Sequence, residues 1–297
     1  MKALSRTVMR LASCYWRGLA SEVSLDCLKK AESGDFEGIA RMSIDPRAYL
    51  HWEAYARDCA AVSFLKKFKN LPSRQPLRQN AISKWWEGER QCYSTNERLT
   101  RFLPEFYQDS EEDSRIYEII SLIRKEVRNL IGARPPTLLE GRFGPGATFV
   151  DRGLSTTIAH KMTSDPALTR GAIWFLPSWL ETKWGKYHAR SASANLQFVP
   201  GNRFTTVPKT CLTDRAIAVE PSINVFYQLS LGSALKARLK ERGWDLKEAQ
   251  DVHRQVACES SVSREFATLD LSNASDTVAR VLVKLLPPLP GMKCSIC

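Results

Sequence analysis

The periodicity of the apolar residues changes once along this chain, near residue 141, and that change limits the folds open to it. Before it, apolar side chains recur three and four positions apart, the spacing of helices with one buried face. Trp52, Tyr55, Cys59, Val62, Leu65 and Phe68 form one such set, broken by Pro72 and Pro76. "AISKWWEGERQCYSTNERL" (81–99) reads as a second helix, in which Trp85 and Trp86 serve as buried anchors or as platforms for bases. The clearest spans 111–131, with Ser110 and Asp113 placed as a capping pair and an isoleucine-rich stripe from Ile116 to Ile131. Gly132 and Pro135–Pro136 suit its end. After residue 141 come closely spaced glycines and short β-prone runs, so the pattern predicts an α+β chain with a helical N-terminal region.

At 297 residues, 43% of them hydrophobic, the chain can fill one large domain or two smaller ones. A net charge of +11 favours an anionic partner: nucleic acid first, then an acidic membrane surface or protein. No apolar run reaches the ~18 residues of a membrane span. The first twenty residues carry Lys2, Arg6, Arg10 and Arg17 and no acid, with Leu4, Val8 and Leu11 at helical spacing. The pattern is superficially that of a transit peptide and is read here as a basic amphipathic helix. Eight scattered cysteines lack the density of a disulfide scaffold and imply a reducing compartment. Cys294 and Cys297 have no second ligand pair for zinc.

"GRFGPGATFVDRG" (141–153) has neither the G-K-[ST] of a phosphate-binding loop nor a dinucleotide spacing, and reads as a structural turn. From 183 to 215, Lys183, Lys186, Arg190, Arg203, Lys209 and Arg215 face one acid, Asp214. Trp184, Tyr187, His188, Phe198 and Phe204 are interleaved with them. Cations for phosphates and rings for bases suit single-stranded nucleic acid; a solvated basic face is the plainer alternative. Within "RFTTVPKTCLTDRAIAVEP" (203–221), two β-prone runs flank a turn. Such a hairpin sets Lys209 and Arg215 near its mouth, as a point charge and a planar fork for a triphosphate. Equally, Asp214 can simply pair with a neighbouring cation.

The alternation of "FATLDL" predicts a strand at 266–271, with Ala267, Leu269 and Leu271 facing the core and Asp270 on the opposite face. A carboxylate there is a good Mg²⁺ ligand, but one Asp cannot hold the two ions common in phosphoryl transfer. "SNASD" supplies turn and cap residues before a helix from about Val278 that Pro287–Pro288 stop, so Asp276 is either a helix cap or a functional acid.

Taken in order, "ERQCYSTN", "RFGPGAT", "VPKTCLTDRAIAVEPSINVFYQ" and "ATLDLSNASD" resemble the replicases of positive-strand RNA bacteriophages (leviviruses, the Qβ type), over roughly residues 50–288. The resemblance implies an RNA-directed RNA polymerase with a right-hand fold. Residues 1–100 would form a helical region, 101–265 the fingers, 266–290 the start of the palm and 291–297 an atypical tail. It places Lys209 and Arg215 on the nucleotide triphosphate, Asp270 on catalytic Mg²⁺ (or Mn²⁺) and Asp276 near the ribose. It also implies a single-stranded RNA template, host translation elongation factors, a ribosomal RNA-binding protein and the bacterial cytoplasm. The adjacent aspartate pair of later palm motifs occurs nowhere in the 297 residues. The sequence therefore leads us to expect an N-terminal part of a replicase, inactive alone, with only the first palm strand-helix unit. The alternative function is a basic RNA- or nucleotide-binding fragment without activity.

Overall fold

A computed structural model describes residues 4–68, 71–108, 110–132, 141–191, 195–271 and 273–286. Pro135–Pro136, Ser272, Pro287–Pro288 and the Cys294/Cys297 tail lie outside the described residues. Five helices come first: α1 (Arg6–Leu19), α2 (Glu22–Glu32), α3 (Phe36–Arg41), α4 (Trp52–Ser63) and α5 (Leu77–Thr100). Then follow α6 (Glu111–Ile131), α7 (Ile158–Thr163), β1 (Ala167–Thr169), α8 (Leu176–Glu181), α9 (Lys183–Arg190) and β2 (Gln197–Val199). Strands β3 (Arg203–Pro208) and β4 (Asp214–Val219) precede α10 (Ser222–Glu241), α11 (Ala249–Ser263) and α12 (Arg280–Leu285). The fold is thus helix-rich with two small sheets, β1 with β2 and β3 with β4. Among the described residues no helix is long and apolar enough to cross a membrane.

The chain divides into two compact units, 1–87 with 204–217, and 88–203 with 218–297. In the first, α1 to α4 pack around Trp16, Cys27, Ile39 and Ala61. The indole of Trp16 donates to the carbonyl of Ala61 at 3.0 Å, satisfying the one polar atom of a fully buried ring. Ser21 and Ser24 form a reciprocal capping box at the start of α2. The basic N-terminal segment is a helix as expected, and Val8 packs against this core. The predicted 52–68 helix ends earlier, at Ser63; Leu65 and Phe68 reach the same core from turns. Of the tryptophan pair, Trp85 is half-buried with its ring 4.8 Å from Phe204, while Trp86 remains exposed.

In the second unit, β1 and β2 run parallel with Ala167 opposite Gln197. The first turn of α10 seals the other edge of β1. Ser222 Oγ accepts from Ala167 N at 2.9 Å, and Asn224 Oδ1 accepts from Thr169 N at 3.1 Å. Leu168, Trp179, Trp184, Ile223 and Phe226 form the core beneath. A second cluster joins Phe102 and Leu103, beyond the end of α5, to Ile120 of α6 and to Val281 and Leu285 of α12. Helix α6 has the predicted bounds, and Ser110 Oγ accepts from Asp113 N at 3.2 Å. Its stripe is only partly used, since Ile119 and Ile123 stay exposed.

Residues 266–271 depart from expectation: they form no strand. Leu269 and Leu271, placed on the buried face by alternation, are 87% and 72% exposed. A strand is stabilised by a neighbour that pairs its ladder and covers one face. Among the described residues no strand lies beside this segment. Arg264, at φ +61°, ends α11 in the left-handed conformation and turns the chain into it. The helix that follows is shorter than predicted, and its N-cap is Ala279 rather than Asp276.

Candidate functional site

The hairpin has the predicted strands, and its turn is built from side chains as much as from backbone. Thr210 N donates to Thr213 O at 3.1 Å. The Thr210 hydroxyl accepts from Leu212 N at 3.2 Å and from Thr213 N at 3.3 Å, a hydroxyl-stabilised turn. Cys211 points inward and is 2% exposed, within the core that holds Trp16. Asn80 Nδ2 fixes Leu212 O at 2.9 Å. One face of the turn is therefore anchored, which leaves Lys209 and Arg215 exposed on either side of it. Among the described residues neither cation has a carboxylate within ion-pair distance, and Asp214 forms no ion pair. Burial and the Asp26 carboxylate push the thiol of Cys27 up to about 11, and burial also raises that of Cys211, so both behave as apolar fillers of this core.

Asp270 and Asp276 belong to the second unit. Asp270 is exposed in the irregular segment. Asp276 sits in a turn in which its N–H donates to Asn273 O at 3.0 Å, and its Oδ1 accepts from Ser275 Oγ at 3.2 Å. Asn273 adopts φ +59°, a conformation asparagine tolerates. One face of α5 supports this turn through residues four apart. At Gly88 the backbone comes close enough that an added Cβ would lie 3.5 Å from Asp276 O. Cys92 Sγ donates to the same carbonyl at 3.4 Å. Asn96 Oδ1 accepts from Val281 N at 2.8 Å, satisfying a donor in the first turn of α12. Burial raises the Cys92 thiol, with Glu89 and the Asp276 carboxylate adding to the effect, so it remains a neutral donor. "ERQCYSTN" and the turn at 273–276 thus lie against each other. The isolated motifs gave no sign of this, because 184 residues separate Cys92 from Asp276.

The basic and aromatic stretch divides by face. Trp184 and His188 turn inward, the imidazole Nε2 lying 2.9 Å from Met162 O. Lys183, Lys186, Tyr187 and Arg190 share the outer face of α9 and line one shallow depression. In the glycine-rich loop, sequence reasoning missed a buried polar cluster. Lys161, 1% exposed, donates to Gly144 O at 2.6 Å. Asp151 accepts from the Thr148 hydroxyl and, at 2.7 Å, from Ser164 Oγ. Lysine and aspartate are ordinarily surface residues, so their burial leaves no trace in a hydropathy pattern.

A Mg²⁺ site needs several oxygen ligands brought together. Among the described residues no three His, Cys, Asp or Glu side chains gather, so these residues do not by themselves fit a metal centre. Asp270 offers one carboxylate.

Residues 23–291 match the family described as "RNA replicase, beta-chain". The chain belongs to the RNA replicase beta-chain family. This replicase match begins earlier than the quoted motifs, reaching back into α2. The chain is 32% identical over 227 residues to the "RNA-directed RNA polymerase subunit beta" of Enterobacteria phage SP, covering 75% of this chain and 38% of that protein. It is 34% identical over 214 residues to the protein of the same name from Escherichia virus Qbeta, covering 71% and 34%. With the "RNA-directed RNA polymerase beta chain" of Escherichia phage MS2 the identity is 37% over 173 residues, covering 56% and 31%. The chain thus spans about a third of the length of these replicase relatives.

Proposed function

We propose that this chain is the nucleotide- and template-handling part of a phage RNA-directed RNA polymerase of the right-hand type. In that reading residues 1–100 form a helical region, 101–265 the fingers and 266–290 the start of the palm. The observation that carries it is the anchored hairpin: two exposed cations flank a turn plugged into a core, and among the described residues no carboxylate pairs with either. In the reaction, the 3′-hydroxyl of the growing RNA gives up its proton to water, and its oxygen bonds to the α-phosphorus of a nucleoside triphosphate. The bond to the bridging oxygen breaks, and pyrophosphate leaves with that electron pair. Lys209 and Arg215 hold the β- and γ-phosphates and offset the charge that develops on them.

Asp276 is assigned to the ribose side of the nucleotide. Asp270 is assigned to a divalent ion, Mg²⁺ or Mn²⁺, which requires carboxylates beyond those the described residues gather. Single-stranded RNA, host elongation factors, a ribosomal RNA-binding protein and the bacterial cytoplasm belong to the same proposal, on the strength of family resemblance.

Titration of the 297-residue chain with a fluorescent nucleoside triphosphate tests the hairpin. Lys209→Ala and Arg215→Ala are each expected to weaken binding about tenfold or more, the effect of removing one charge-assisted contact. Unchanged affinity in both variants overturns the assignment. The 297 residues alone are expected to incorporate no nucleotide on an RNA template. Template-dependent incorporation that Asp270→Asn abolishes contradicts that part.

A second reading, a basic RNA-binding module without activity of its own, is favoured by the cationic outer face of α9. It predicts RNA affinity that falls steeply with salt. Binding indifferent to salt counts against it.

A further inference from the structure

Glycine is required where φ is positive, where another group packs against the backbone, or where a ligand must approach the main chain. The loop 141–153 contains the first two cases. Gly153 has φ +59°. At Gly141 an added Cβ would fall 2.0 Å from the ring of Phe226. Gly144 and Gly146, on either side of Pro145, have neither reason. A Cβ on either meets nothing within 4 Å, and neither has a left-handed φ.

This bare stretch of backbone is held firmly from behind. Lys161 is bonded to Gly144 O, and the Thr148–Asp151–Ser164 cluster fixes the next turn. Arg203 is held against the same turn, its Nη2 3.5 Å from Thr148 O. Its Nε is buried with no hydrogen-bond partner among the described residues. Burial, and then the neighbouring Arg152 guanidinium, lower its proton affinity. Repulsion between two neighbouring guanidiniums is relieved when an anion joins them.

We infer that the Gly144–Gly146 main chain, Arg152 and Arg203 form a seat for the sugar-phosphate backbone of an RNA strand. The cations contact a phosphate, and the missing side chains let the strand lie directly on the backbone. The inference rests on the reading that this chain handles RNA, but it is separate from the nucleotide contacts of Lys209 and Arg215.

Binding of a short fluorescent single-stranded RNA to the 297-residue chain, over a series of salt concentrations, is the test. Gly144→Val is expected to unfold at the parent's temperature, since its side chain enters open space, yet to bind RNA about tenfold more weakly. Arg152→Gln, an exposed position, is expected to reduce the slope of log affinity against log salt by about 0.7, the value for one single-strand phosphate contact. Both variants are expected to keep the parent's affinity for a fluorescent nucleoside triphosphate. Parent-like RNA binding in both variants overturns the inference while leaving the proposed function intact. Loss of nucleotide affinity in place of RNA affinity overturns it in favour of a triphosphate site. A parent chain that binds no RNA overturns both the inference and the reading beneath it.

Discussion

Asn96 connects two parts of the chain through one amide oxygen, which accepts from Val281 N at the start of α12. The helix has only six residues, and Ala279 provides no side-chain cap, so this bond takes the place of one. Asn96→Leu keeps the bulk and removes the acceptor. It is expected to destabilise the chain by about 1 kcal/mol in denaturant unfolding, with hydrogen exchange accelerated at 280–285. Parent-like stability contradicts the capping role. The sequence around Asn96 reads only as helix, because its partner is 185 positions away. What periodicity reports is the face a residue occupies within its own helix. It does not report which distant donor that face meets.

Elements were legible where their stabilising interactions are local. Helix α6 carries its own cap and stripe, and the β3–β4 hairpin its own turn chemistry, so both fall where the pattern put them. The 266–271 segment failed as a strand because alternation specifies a face but supplies no partner strand. A non-local tie of another kind holds the entry to α5. Glu37 of α3 accepts from Arg74 N at 2.7 Å, Gln75 Nε2 at 2.6 Å and Ser73 Oγ at 3.1 Å. Those bonds, led by the Arg74 backbone, hold its carboxyl below the usual range. The unfolded chain therefore takes up the proton first on acidification. The stabilisation is complete above the ordinary glutamate pKa and is lost as pH falls through the lower, folded value. Glu37→Gln is expected to flatten this part of the acid limb of a stability–pH curve. A limb unchanged in slope excludes the tie as a source of acid sensitivity.

At the scale of the whole molecule, one closely spaced set of apolar residues lies outside the cores. Phe266, Leu269 and Leu271 of the second unit stand in water. An exposed, unpaired apolar run is a site for association between chains. Amides at 266–271 are expected to exchange at nearly the unfolded rate in dilute solution, and protection should rise with protein concentration if such association occurs. Strong protection in a dilute monomer contradicts the exposed arrangement. The candidate site was legible to the same uneven degree. The placement of Lys209 and Arg215 beside a hairpin turn was legible because hairpin and charge are local signals. The Lys161–Asp151 cluster and the support of α5 for Asp276 were not, since both depend on tertiary placement.

That support also has a bearing on time. Helix α5 leaves the ribosome with the face of Gly88, Cys92 and Asn96 unfilled, and the turn it holds is made 184 residues after Cys92. At the usual pace of protein synthesis this is a wait on the order of ten seconds or longer, far beyond the time a helix takes to form. The segment bearing Asp276 therefore has a formed helix to settle on, and it acquires its shape well after α5.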